Sequence, residues 1–163
     1  IIFKIFNSTC IYLESTQDIN GVEILGVVKN IYAILLGIVD EQFYFTNSRF
    51  MILSKVFDEI KVLNNEFNGD TKTLFLACGL GDICLTSFNN LSRNRTLGKK
   101  IGKGCYDSKE KNMVVVEGVH SLKIIMSLLS STTQKKLPLL NKLFLFFDSE
   151  LNEIELNLKE IYK

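Results

Sequence analysis

Gly21-Val-Glu23-Ile-Leu-Gly26-Val-Val-Lys29-Asn30-Ile-Tyr-Ala33-Ile-Leu-Leu-Gly37-Ile-Val39 is the stretch that decides the fold class. It is proline-free and apolar, with one lysine near its middle, and it reads as a helix over about Val22 to Val39. Its longest apolar run, 31–39, is about half of the ~20 residues that cross a bilayer, so no membrane span is expected.

Outward from this helix the helical spacing continues almost to the end, with Pro138 as the single proline. Phe50, Leu53, Phe57, Ile60 and Leu63 place a second helix over about Asn47 to Asn64, and Asn68-Gly69-Asp70 breaks the chain. Thr71 to Cys78 reads as a short helix stopped at Gly79. Gly79-Leu-Gly-Asp82 opens another that carries Leu85, Thr86 and Phe88, and Ser92 can cap a helix over Arg93 to Ile101. Glu117 to Leu129, Leu139 to Phe147 and Ser149 to Ile161 complete the set, the last with Leu151, Ile154, Leu158 and Ile161 on one stripe. Ile1 to Leu13 is rich in β-branched and aromatic residues and reads as extended, with Asp18-Ile-Asn-Gly21 as a closing turn. The expectation is an all-α domain over 21–163, preceded by a short strand and linker over 1–20.

Composition agrees with one core. The chain has 163 residues, 47% apolar and 23% charged, which excludes disorder as the dominant state. Lys and Arg total 19 against 18 for Asp and Glu, so no global field draws the chain to nucleic acid or an anionic membrane. Cys10, Cys78, Cys84 and Cys105 lack Cys-x-x-Cys spacing and His120 is the only histidine, a pattern that argues against a zinc site. Four reduced, buried thiols in a cytoplasmic protein are expected. The apolar opening at Ile1, without a basic leader, is expected to be the middle of a longer protein.

Three places differ from packing. Lys29 sits in the apolar helix with Gly26, Ala33 and Gly37 at i−3, i+4 and i+8, so its ammonium would look along a shallow groove. Spacing leaves open whether it reaches out to solvent or serves as a functional amine. Asp82 follows two glycines, with Thr86 one helical turn on, which is either a helix stop and cap or a carboxylate and hydroxyl on one face. Ser92-Arg93-Asn94-Arg95 puts a hydroxyl, an amide and two guanidinium groups at a helix start, suited to a phosphate or to an exposed basic turn with a serine cap.

Together these residues carry a resemblance. Gly21-Val-Glu23 to Lys29-Asn30-Ile-Tyr-Ala33, Gly79-Leu-Gly-Asp82 to Thr86, Leu91-Ser-Arg-Asn-Arg95 with Gly98 and Gly102, and Val116-Glu117-Gly118 stand in the order and spacing of the NAD(P)-dependent glycerol 3-phosphate dehydrogenases. The chain resembles the C-terminal substrate domain of that family over roughly Gly21 to Phe147. The resemblance implies a helical fold of the 6-phosphogluconate dehydrogenase C-terminal-like type. It also implies reversible NAD- or NADP-linked reduction of dihydroxyacetone phosphate to sn-glycerol 3-phosphate, feeding glycerophospholipid synthesis. On it, Lys29 is the general acid and base, Asn30 and Asp82 orient Lys29 or substrate hydroxyls, and Thr86 supports Asp82. Ser92, Arg93 and Asn94 contact the glycerol phosphate, while Arg93, Val115 and Glu117 touch the cofactor; no metal is implied.

The chain also departs from that family. No Gly-x-Gly-x-x-Gly turn occurs in these residues, so the partner implied for cofactor binding is a dinucleotide-binding domain outside them, with 1–20 as its last strand and linker. The glycine-rich segment usual after the first helix reads Asp40-Glu-Gln-Phe-Tyr-Phe-Thr-Asn47. The second reading is therefore a non-catalytic or decayed helical fragment that keeps the fold and a homodimer surface.

Overall fold

The computed structural model describes residues 2–106, 116–149 and 153–162. Among them the structure is helical and contains no strand: α1 (Ile2–Phe6), α2 (Ile19–Gln42), α3 (Thr46–Glu66), a 3-10 turn (Thr73–Phe75), a π-helical turn (Ala77–Gly81), α4 (Asp82–Phe88), α5 (Arg93–Gly102), α6 (Glu117–Leu128), α7 (Ser131–Gln134), α8 (Pro138–Asp148) and α9 (Leu158–Ile161). Helix α2 is the axis of the fold. Leu25, Val28, Ile31, Tyr32, Ile34, Leu35 and Ile38 lie on several of its faces and are all fully buried, because α3, α4, α5, α6 and α8 surround it. An apolar helix without a polar stripe finds its low free energy only in such a position. By length and composition α2 could also cross a membrane, which corrects the estimate made from the 31–39 run alone, and most of that apolar stretch is covered by the other helices.

The ends of α2 are fixed by side chains. Asp18 caps its start, so Asp18-Ile-Asn-Gly21 is the first turn of the helix rather than a separate turn. The Asp18 carboxylate accepts from Gly21 N (2.9 Å), Asp70 N (2.8 Å) and Thr73 Oγ1 (2.6 Å), and the Thr73 hydroxyl foremost holds its pKa below the ordinary value. At the other end Arg49 donates from Nε to Phe43 O (2.9 Å) and from a terminal nitrogen to Asp40 O (3.0 Å), satisfying carbonyls that the helix leaves open.

Helix α5 crosses α2 in backbone contact. A Cβ on Gly98 would collide with Ile34 O, and one on Gly37 would lie 2.9 Å from Lys99 N and 3.0 Å from Gly98 Cα. Only glycine at both positions permits this approach. The groove expected along Gly26, Ala33 and Gly37 is therefore mostly filled: Ala33 is fully buried, Gly37 abuts α5, and only Gly26 has open space beside it.

A buried carboxylate that sequence patterning did not single out joins α3 to α8. Glu59 is 1% exposed and accepts from Tyr32 Oη (2.9 Å), Leu139 N (2.6 Å) and Leu140 N (3.0 Å). It thus caps α8 from another helix, where Pro138 has no N–H to offer. Burial pushes the Glu59 pKa up to about 7 against the opposing pull of those hydrogen bonds. Burial, with Glu59 beside it, also holds the Tyr32 phenol above its usual range.

Several expectations are corrected. Residues 2–6 are helical and 11–16 have no regular structure, because an isolated extended segment has no sheet to join here. Thr71 to Cys78 divides into the 3-10 turn and the beginning of the π-helical turn. The helix expected over 149–161 is reduced to α9; 150–152 lie outside the described residues. In 153–157 burial alternates, Ile154 and Leu156 inward, and Gln42 bonds Ile154 O and Leu156 N (3.1 Å) as a neighbouring strand would. Cys10 and Cys105 are exposed and Cys78 and Cys84 half-buried, not a buried set, and all four are free.

Candidate functional site

Lys29 and Asp82 meet across the α2–α4 contact. Lys29 lies near the middle of α2, and Asp82 opens α4 directly after the π-helical turn, in which Gly79 runs so close to the 73–74 backbone that a Cβ would clash. Lys29 Nζ donates to Asp82 Oδ2 at 2.5 Å, and the two side chains remain 25% and 34% exposed. The lysine therefore neither reaches freely into solvent nor is sealed in the core. A partly exposed ion pair is worth ~0–1 kcal/mol, too little to be what holds α4 on α2. Its geometry matters more than its energy, since it holds the Lys29 amine against a carboxylate on a partly open face.

The next residue, Asn30, turns inward. Its Oδ1 accepts from Asn94 Nδ2 (2.9 Å), and Asn94 Oδ1 accepts from Gly118 N (3.1 Å), so one buried chain of amides ties α2, α5 and α6 together. Gly118 is required there: a Cβ would stand 2.6 Å from Asn30 O and 2.8 Å from Asn94 Oδ1. This network sits one residue from Lys29 and one from Arg93, so it brings the start of α5 beside the middle of α2.

At the start of α5, Ser92 acts as the cap, its Oγ accepting from Arg95 N at 3.3 Å. Arg93 is exposed and has no carboxylate partner among the described residues. Arg95, expected beside it as a second anion-binding guanidinium, is instead buried and bonded to Asp40 and Asn90. The free N–H groups of the first helical turn, the helix dipole and the Arg93 fork still make this end suited to an anion.

Of the remaining candidates, Thr86 is half-buried one turn beyond Asp82 and makes no hydrogen bond to it among the described residues. Glu117 is exposed in the first turn of α6, and Val115 lies outside the described residues. Cys78 and Cys84 flank Asp82, and burial raises both thiol pKa values, keeping them protonated. The sequence reading missed Arg95 as a structural partner of Asp40 and missed Glu59. A signal for Glu59 was present: it lies three residues from Val56 and four from Leu63, on the buried stripe of α3.

Residues 18–155 match the family described as NAD-dependent glycerol-3-phosphate dehydrogenase C-terminus, a longer span than the 21–147 of the motif resemblance. The chain is 36% identical over 141 residues to a glycerol-3-phosphate dehydrogenase (NAD(P)+) of Methanothermobacter thermautotrophicus, covering 86% of this chain and 42% of that protein. It is 35% identical over 150 residues to the chloroplastic glycerol-3-phosphate dehydrogenase (NAD(+)) 2 of Arabidopsis thaliana, covering 91% and 36%. The crystal structure of glycerol-3-phosphate dehydrogenase from Coxiella burnetii superposes with a TM-score of 0.71 at 32% identity, covering 84% of this chain and 42% of that one. The chain thus spans about two fifths of the length of these relatives.

Proposed function

Because the chain belongs to the NAD-dependent glycerol-3-phosphate dehydrogenase C-terminus family, we propose that it supplies the substrate half of the reversible, NAD- or NADP-linked reduction of dihydroxyacetone phosphate to sn-glycerol 3-phosphate. The reduction needs a hydride donor. These residues hold no Gly-x-Gly-x-x-Gly turn and, among those described, no sheet to bind a dinucleotide, so the reading assigns the nicotinamide cofactor to a dinucleotide-binding domain outside them. Residues 1–20 are its linker on this reading, with Arg93, Val115 and Glu117 as the contacts made from this side. The enzyme would work in the cytoplasm, with α2 as a core helix rather than a membrane span.

Each of the chain's own residues has a defined task. As the carbonyl carbon of the substrate gains a hydride, its C–O π bond breaks toward oxygen. The Lys29 ammonium stabilises that growing charge and then transfers one proton to it, leaving a neutral amine and the product alcohol. Asp82 holds Nζ in place before the step. Asn94 fixes Asn30 beside Lys29, Thr86 lines the same face of α4, and Arg93 with the α5 N-terminus takes the phosphate oxygens, helped by Ser92 and Asn94.

The observation that carries this reading is the 2.5 Å Lys29–Asp82 contact on a partly open face. Mixing the chain with a separately expressed dinucleotide-binding domain of the family should permit NADH oxidation with dihydroxyacetone phosphate. Lys29→Met should lower that rate by about 100-fold or more, in line with the loss of an acid–base group. An unchanged rate in Lys29→Met would end the assignment.

A second reading is a non-catalytic helical fragment, alone or as a homodimer. The segment Asp40 to Asn47 favours it, because its bulky Phe43, Tyr44 and Phe45 stand where the family pattern is glycine-rich, and Tyr44 and Phe45 are exposed. Calorimetric silence toward sn-glycerol 3-phosphate would support that reading, and binding that is lost in Arg93→Ala would refute it.

A further inference from the structure

A cavity of about 170 Å³ lies between the C-terminal end of α2, the first turns of α3 and the last turn of α4. It borders Leu36 to Asp40, which follow Lys29 on α2 by seven to eleven residues, or about 10 to 16 Å at 1.5 Å per residue, so it is separate from the Lys29 site. Two side chains in its wall have buried polar atoms without partners. Ser87 is 1% exposed and its Oγ has no hydrogen bond among the described residues; Arg95 is 8% exposed and its Nε has none among them, although its terminal nitrogens bind Asp40 and Asn90. Buried donors are rarely left unpaired, and two of them bordering one cavity call for an acceptor between them.

Charge and shape narrow the acceptor. Arg49 and Arg95 contribute two positive charges to this wall and Asp40 one negative charge, so a monoanion closes the balance. Apart from Thr46, the rest of the wall is apolar, formed by Leu36, Val39, Phe50, Leu53 and Phe88. The volume lies below the ~300–1,000 Å³ of pockets that hold drug-sized ligands, which favours a small one. We propose that this cavity is a binding site for a small monocarboxylate with a short aliphatic tail, its oxygens accepting from Ser87 Oγ and Arg95 Nε and its tail lying against Leu36, Val39 and Leu53. Helix α4 joins the two sites, with Asp82 at its first residue and Ser87 near its last. The proposal does not depend on the role given to Lys29.

Sodium butyrate titrated into the full chain, followed by NMR of the Ser87 and Arg95 signals, tests this directly, with n-butanol as the uncharged probe. Butyrate should saturate at millimolar concentration and bind at least about tenfold more tightly than n-butanol. Ser87→Ala should weaken butyrate about tenfold, and Arg49→Gln should erase the preference for butyrate over n-butanol. The proposal is overturned if butyrate does not saturate, if n-butanol binds the parent chain equally well, or if a folded Ser87→Ala binds butyrate unchanged. Should Ser87→Ala fail to fold, the comparison of butyrate with n-butanol in the parent and in Arg49→Gln decides the matter.

Discussion

Replacing Glu59 by Gln should remove a specific pH dependence of stability. Burial raises the carboxyl pKa from 4.5 to about 7 in the folded chain, so the native state binds a proton more tightly than the unfolded one. The stabilisation this gives is fully present below about pH 4.5 and is lost as pH rises through about 7. At 1.36 kcal/mol per pKa unit the whole effect is about 3 kcal/mol, a large fraction of a domain's usual stability. Leu139 and Leu140 donate to different Glu59 oxygens, so Gln keeps an acceptor for only one of them and is less stable overall, but it does not titrate and therefore removes the pH slope. Urea unfolding followed by circular dichroism at pH 5 and pH 8 should show the parent losing stability with rising pH and Glu59→Gln losing about 2.5 kcal/mol less, the part of the effect that falls between those two pH values. Parallel pH profiles for the two proteins would refute the claim that this carboxyl is the group responsible.

Gly98→Ala should destabilise the chain by about 3 kcal/mol or more in the same unfolding assay, since its Cβ has to displace the Ile34 carbonyl of the central helix. Arg93→Ala should leave the melting temperature unchanged, because the side chain is exposed, and should weaken a glycerol-phosphate ligand by about 1.5 to 3 kcal/mol in calorimetry, the usual worth of a charged hydrogen bond.

The helices were legible where a single period dominated. The apolar run from Val22 to Val39 announced α2, and the extra residues at each end depend on Asp18, which also holds the distant Asp70 and Thr73, and on Arg49 folding back from α3 onto Asp40 and Phe43. Ser92 was readable as a cap because that bond is local. The end of the chain was not: Glu153-Ile-Glu-Leu-Asn157 has few residues to fix a period, and its extended form is selected by Gln42, more than a hundred residues away. Arg95 misled for a similar reason. Two arginines two residues apart looked like one basic turn, yet helical positions i and i+2 face different ways, and Asp40 drew the second one inward. The pairing of Lys29 with Asp82 rested on motif resemblance; spacing alone left each of them with an ordinary structural explanation.

The glycine crossing of α2 and α5 has one more consequence. Gly37 lies two helical turns from Lys29, and Gly98 lies one turn from Asn94, so this crossing acts as the pivot of a pair of calipers whose tips are the amine and the Arg93 turn. Under the proposed reading, the bulk of two hydrogen atoms there sets how long a molecule can be grasped at both ends. Thickening the pivot by a methyl group would pull against the Asn30–Asn94 bond that ties the tips together.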